Sequence, residues 1–190
     1  GAPDHGVHVT GSMKFDGVQT DRQNKNTQRL AALAQINADD LVFVAGSTQA
    51  PEEQLALNAY LELSERCPRL RLIIVPRHPE RFDAVAQMLD HSRVGWNRRS
   101  ELSSSESVLD ERVLLVDTVG ELSAWWGTAH IAYVGGSMGS RGGQNMIEPA
   151  AYGALVCFGP CTTNFRDVVT MLLNAQAAVV VDDGATLTRL

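Results

Sequence analysis

The run Gly142-Gly143-Gln144-Asn145-Met146-Ile147-Glu148-Pro149-Ala150-Ala151 combines residue types that suit phosphate and sugar recognition. Two glycines leave the backbone bare, so an anion can approach the amide N–H groups. A helix beginning just after them adds unpaired donors and about half a positive charge at its N-terminus. Glu148, one turn in, can accept hydrogen bonds from a pair of sugar hydroxyls. Phosphate and ribose recognition within a few residues points to a nucleotide or a nucleotide sugar. An ordinary Gly-rich turn capping a helix accounts for the same residues equally well.

Other residues gain meaning from the elements that position them. Short apolar, β-branched runs at Leu41–Ala45, Leu70–Val75, Val113–Val116, Ile131–Val134, Leu155–Phe158 and Ala178–Val181 read as strands covered on both faces. Helical patterns lie between them at Pro51–Arg66, Pro79–Leu89, Val119–Gly127 and Asn164–Asn174, with an opening helix at Asn24–Gln35. Pro51 suits the first helical position, and Glu52 and Glu53 suit the first turn. Strand alternating with helix predicts an α/β fold, a Rossmann-like doubly wound parallel sheet of about six strands. Such sheets bind ligands beyond the carboxyl ends of their strands. Gly46-Ser47-Thr48, Pro76-Arg77-His78-Pro79, Asp117-Thr118, Gly135-Gly136-Ser137 and Gly159-Pro160 all follow strands, so all fall on that edge.

On that edge Arg77 can pair bidentately with a phosphate or carboxylate, or stand as a surface cation beside Glu80 or Asp83. His78 suits a base or sugar contact, or a structural turn. Ser47 and Thr48 can donate to a phosphate, or cap the helix that follows. Gly136 and Ser137 belong to a tight turn that also clears space for a ligand. Lys14 is a possible anion contact. Trp125 and Trp126 read as packing for a helix laid on the sheet. His130 reads as structural, and Asp182-Asp183 as a solvated turn.

Composition narrows the class. A chain of 190 residues with 44% hydrophobic residues can bury a proper core as one domain. Its net charge of −6 argues against nucleic-acid binding. No run approaches the ~20 apolar residues of a bilayer span, and no signal peptide is visible. Cys67, Cys157 and Cys161 lack metal or disulfide spacing and read as reduced thiols. No Walker A, GxSxG or nicotinamide fingerprint is present, and no metal or cofactor is expected. Residues 1–8 read as a tail or truncated linker and 9–190 as one domain, with both ends looking cut. Arg98–Ser107 reads as an exposed polar break.

The chain resembles the C-terminal domain of the bacterial 3-deoxy-D-manno-octulosonic acid (Kdo) transferases. The resemblance runs in order through Val9–Asp16, Ala45–Thr48, Val75–Phe82, Asp117–Leu122, Val134–Ser137, Gly142–Ala151 and Gly159-Pro160 with Asn164-Phe165. It departs from the family pattern at Gln144, where His is common, at Met146, where Pro is common, and at Ser12-Met13, where Asn-Leu is common. The resemblance implies a GT-B glycosyltransferase with the active site between two Rossmann-like domains. The half seen here would bind the donor CMP-Kdo through Lys14, Ser47, Thr48, Pro76, Arg77, His78, Gly136, Ser137, Gly142, Gly143, Asn145 and Glu148. The other half would bind the lipid A precursor, associate with the cytoplasmic face of the inner membrane and carry the catalytic base. The reaction implied is metal-independent and inverting. A different GT-B enzyme or epimerase using a UDP-sugar, or a non-catalytic nucleotide-binding domain, would share the Gly-rich turn and the ribose carboxylate.

Overall fold

The computed structural model describes residues 16–102 and 111–190. Lys14 and residues 103–107 of the serine-rich break lie outside them. Seven strands form one parallel sheet: β1 (Leu41–Thr48), β2 (Leu70–Pro76), β3 (Trp96–Arg98), β4 (Val113–Leu115), β5 (Ile131–Val134), β6 (Leu155–Phe158) and β7 (Ala178–Val180). Their spatial order is β3-β4-β2-β1-β5-β6-β7. The chain winds outward from β1 in one direction through β2, then crosses back to lay β5 on the other side of β1. The switch point of this doubly wound sheet therefore lies between β1 and β5.

Seven strands exceed the six expected. The additional one, β3, reads Trp-Asn-Arg and pairs only with β4. A short half-buried edge strand carries no continuous apolar run, so hydropathy does not reveal it. The break expected at Arg98 begins with the last residue of this strand, followed by a 3₁₀ turn at Arg99–Glu101.

Side-chain alternation along β1 assigns the two faces. Val42 and Val44 face a core shared with Trp125, Trp126 and Leu30. Phe43 and Ala45 face a second core with Leu57, Tyr60 and Leu89. The first face is covered by α1 (Lys25–Leu33), α4 (Leu122–Trp126), α5 (Ile147–Ala151) and α6 (Arg166–Asn174). The second is covered by α2 (Glu52–Ser64), α3 (Phe82–Ser92) and α7 (Gly184–Thr188). Trp125 and Trp126 are fully buried, as packing residues should be. His130 is structural: its Nδ1 accepts from the Val42 N–H at 3.1 Å. Asp183 does more than turn the chain, because its carboxylate caps α7 by accepting from Thr186 N–H. No helix among the described residues is long and apolar enough to cross a membrane.

At the amino ends of the strands a buried ion cluster ties three elements together. Arg71 of β2 donates to Asp40 Oδ2 at 2.5 Å, and Arg112, just before β4, donates to Asp40 Oδ1 at 2.9 Å. Arg71 also donates to the carbonyls of Ala34 and Gln35 behind α1. This cluster fastens the amino end of the sheet.

The carboxyl end is built on close backbone approach. A Cβ on Gly135 would lie 2.4 Å from the Ser47 carbonyl oxygen, and one on Gly46 would lie 2.5 Å from the buried Trp126 ring. Gly135→Ala is therefore expected to push β5 from β1 and cost about 1–3 kcal/mol by overpacking. Urea denaturation measures this; an unchanged midpoint would show that the strand ends yield freely.

Candidate functional site

Strand β1 ends in an irregularity. Its register with β2 shifts between Gly46 and Thr48, and Ser47 takes a left-handed φ of 54°. A non-glycine residue there stores backbone strain that the surroundings must hold. Ser47 and Thr48 are both buried, and Thr48 Oγ1 has no hydrogen-bond partner among the described residues. Neither caps α2: no side chain does, and Pro51 occupies the N-cap position, not the first helical one. The Thr48 carbonyl instead accepts from Arg77 N–H at 3.0 Å, joining the β1 exit to the Pro76-Arg77-His78 turn.

The head of α2 holds the cleft together, a role that residue type alone did not reveal. Glu52 and Glu53 read as ordinary first-turn acids, yet both are almost completely buried, at 2% and 1% exposure. Glu52 Oε2 accepts from the N–H groups of Gln49 and Gly136, at 2.9 and 2.8 Å. Its Oε1 accepts from the N–H groups of Ser137 and Met138 and from the Tyr133 hydroxyl, at 2.9, 3.0 and 3.0 Å. Burial, with the Glu52 charge beside it, raises the Tyr133 phenol well above its ordinary value, so it stays a donor. Glu53 accepts two parallel bonds from Arg81, each 3.0 Å. Two consecutive carboxylates thus fasten the two walls of one cleft. Glu52 holds the β5 wall, and Glu53 holds the 3₁₀ turn Pro79–Arg81 on the β2 wall. The available signal was position: paired acids a few residues beyond a Gly-Ser-Thr strand exit.

In this geometry the backbone amides of Gly136 and Ser137 are not free to donate to a ligand. Their amides are already satisfied by Glu52. The Ser137 hydroxyl is also engaged, donating to the Val134 carbonyl and accepting from Gly159 N–H, both at 2.8 Å. Their part is to shape the wall.

The Gly-rich turn continues from that wall. Gly142 and Gly143 have φ of 86° and 81°, in the region that only glycine enters cheaply. Gly143 N–H donates to the Gly136 carbonyl at 2.8 Å, so this amide too is spent within the protein. Asn145 does double duty: its Oδ1 accepts from Ile147 N–H at the start of α5, and its Nδ2 donates to Glu148 Oε1 at 2.9 Å. That bond orients the Glu148 carboxylate, while Oε2 takes no hydrogen bond from the described residues. Glu148 is half-buried, so the free oxygen remains available to hydroxyl donors.

Gly136 also lines an open cleft of about 430 Å³ together with Gln49, Glu52, His78, Arg81 and Arg141. The structure thus brings Ser47, Thr48, Pro76, Arg77, His78, Gly136, Ser137, Gly142, Gly143, Asn145 and Glu148 to the carboxyl edge. Arg77 is exposed, and its guanidinium makes no hydrogen bond or ion pair among the described residues. Farther along the edge, Asp117 accepts from the N–H and hydroxyl of Ser100, and Glu121 accepts two bonds from Arg99. Those carboxylates are committed to structure. No group of three or more His, Cys, Asp or Glu residues able to hold a metal ion occurs among the described residues.

No family model matches the chain. It is 34% identical over 187 residues to a 3-deoxy-D-manno-octulosonic acid transferase of Haemophilus influenzae, covering 97% of the chain and 42% of that protein. It is 35% identical over 181 residues to the enzyme of the same name from Bordetella pertussis, covering 94% of the chain and 41% of that protein. The chain therefore spans less than half the length of these relatives. Among solved structures it resembles the C-terminal CMP-Kdo binding domain of WaaA from Acinetobacter baumannii, with a TM-score of 0.78 and 31% identity over 87% of this chain and 84% of that one. An alpha,alpha-trehalose 6-phosphate synthase from Burkholderia multivorans, at 14% identity and a TM-score of 0.55, shares the fold alone. Sequence and fold together show that the chain belongs to the 3-deoxy-D-manno-octulosonic acid transferase family and matches its C-terminal domain.

Proposed function

We propose that this chain is the donor-binding half of a glycosyltransferase that moves Kdo from CMP-Kdo to a lipid A precursor in lipopolysaccharide biosynthesis. The observation that carries the reading is the Gly142–Glu148 turn. It sits on the ligand-binding edge of the sheet, with Glu148 oriented by Asn145 and one carboxylate oxygen left free. That oxygen suits the ribose hydroxyls of a nucleotide. Arg77, uncommitted on the same edge, suits the phosphate. The likeness to the Acinetobacter CMP-Kdo binding domain supports cytidine as the base.

In the proposed reaction an acceptor hydroxyl oxygen attacks the anomeric carbon of Kdo. The bond from that carbon to the phosphate oxygen breaks with inversion, and CMP leaves with the electron pair. The acceptor proton passes to a base in a second domain. This chain holds the nucleotide and neutralises the charge growing on its phosphate. Arg77 supplies a permanent cation for that purpose, an arrangement that calls for no metal. The remaining domain would bind the lipid acceptor and meet the cytoplasmic face of the inner membrane.

Calorimetric titration with CMP, UMP and UDP tests the reading. The expected result is weak, CMP-selective binding by the wild-type chain, reduced about 10- to 100-fold by Glu148→Ala and by Arg77→Ala, the span of losing one charge-assisted hydrogen bond. A preference for UDP would contradict the donor assignment. Rapid Kdo transfer by the 190 residues alone would contradict the division of labour.

A further inference from the structure

The charges on the cleft are unequally committed. Glu52 is buried and accepts five hydrogen bonds. Arg81 is held by Glu53 through two bonds. Glu80 is exposed on the β2 wall and forms no ion pair among the described residues. Arg141, on the β5 wall, is also exposed, and its guanidinium makes no hydrogen bond or ion pair with them.

The backbone that carries Arg141 is fixed. Its carbonyl accepts from Asn164 Nδ2 at 2.7 Å, and the Gly142 carbonyl accepts from Asn164 N–H at 3.0 Å. Gly143 N–H is bonded to Gly136. Arg141 is thus an unneutralised cation on an ordered main chain, so engaging a ligand orders only its side chain. It stands between the cleft and the Gly-rich turn proposed to hold the nucleotide.

Resting on the donor reading above, we propose that Arg141 is a specificity-determining residue that binds the carboxylate of the donor's acidic sugar. A CMP-linked ulosonic acid carries two anionic groups, a phosphodiester and a carboxylate. Arg77 suits the first, and Arg141 lines the cleft beside the Gly-rich turn with its guanidinium unpaired among the described residues, which suits the second. The planar guanidinium matches a carboxylate through two parallel N–H···O bonds, a geometry an ammonium cannot reproduce. The site would then select acidic sugars over neutral ones by reading their charge.

The test compares CMP with CMP-Kdo by calorimetry on wild-type, Arg141→Ala and Arg141→Lys chains. The wild-type chain is expected to bind CMP-Kdo at least tenfold more tightly than CMP. Arg141→Ala removes that advantage and leaves CMP affinity within about twofold, and Arg141→Lys restores only part of it. Equal weakening of both ligands would make Arg141 a phosphate contact and overturn the inference. So would an unchanged preference for CMP-Kdo in Arg141→Ala, or a wild-type chain that binds CMP with no gain from the sugar. A wild-type chain that binds neither ligand overturns the donor reading as well, which separates the two failures.

Discussion

Replacement of Glu52 by alanine is expected to destabilise the protein by several kcal/mol, because each buried donor left without an acceptor costs about 1–3 kcal/mol. The substitution strips a common acceptor from four backbone N–H groups and the Tyr133 hydroxyl. These donors sit at the β1–β5 switch point, where Gly135 presses on the Ser47 carbonyl and leaves little room for replacement water. Glu52→Gln is the sharper probe. It keeps the shape and one acceptor oxygen but aims an N–H₂ group at amide donors, and should cost about 1–3 kcal/mol. Urea denaturation followed by tryptophan fluorescence would measure both. A Glu52→Gln chain as stable as wild type would mean that these amides find other partners.

The second large effect lies at the opposite end of the sheet. Asp40→Asn leaves Arg71, a buried guanidinium, without its charge partner, and should cost roughly 3–5 kcal/mol. It should also change the response to acid. Burial alone would raise the Asp40 carboxyl, but the Asn37 N–H and the Arg112 and Arg71 guanidiniums outweigh it and hold the group below its ordinary value. A carboxyl depressed on folding stabilises the native state above its unfolded pKa, and that contribution is lost as pH falls through the folded value. Wild-type stability should therefore fall below about pH 4, the ordinary range of an aspartate, and the Asn variant should fall less steeply there. Parallel acid slopes in the two chains would remove Asp40 from the account.

Much of this architecture could be read from residue patterns. The six apolar runs all became strands, and the rule that ligands sit beyond strand carboxyl ends gathered Arg77, His78, Gly136 and Glu148 correctly on one edge. What pattern could not show was commitment. Gly136, Ser137 and Gly143 have the residue types of an anion cradle, but their N–H groups point at Glu52 and at Gly136 itself. A helix-start glutamate and a cradle-filling glutamate are the same letter; only the third dimension separates them. Ser47 carries a related lesson. Nothing in Gly-Ser-Thr announces a left-handed serine, because the conformation is imposed by the register shift against β2 and the close approach of Gly135. The edge strand β3 escaped because it buries little and pairs on one side only.

The Glu52 cluster also says something about the order in which the molecule comes together. Glu52 and the three β5-wall amides it holds are separated by 84 to 86 residues of chain. Contacts that distant in sequence are slow to form, because the intervening loop must first be closed. The β5 wall of the cleft thus takes shape only once β5 has docked beside β1, after the local α2–β2 unit can already exist. A compact intermediate lacking that pairing would hold half a cleft and no ligand. If the chain holds a nucleotide as proposed, its affinity would report a completed sheet, and the ligand would act as a check on assembly of the domain.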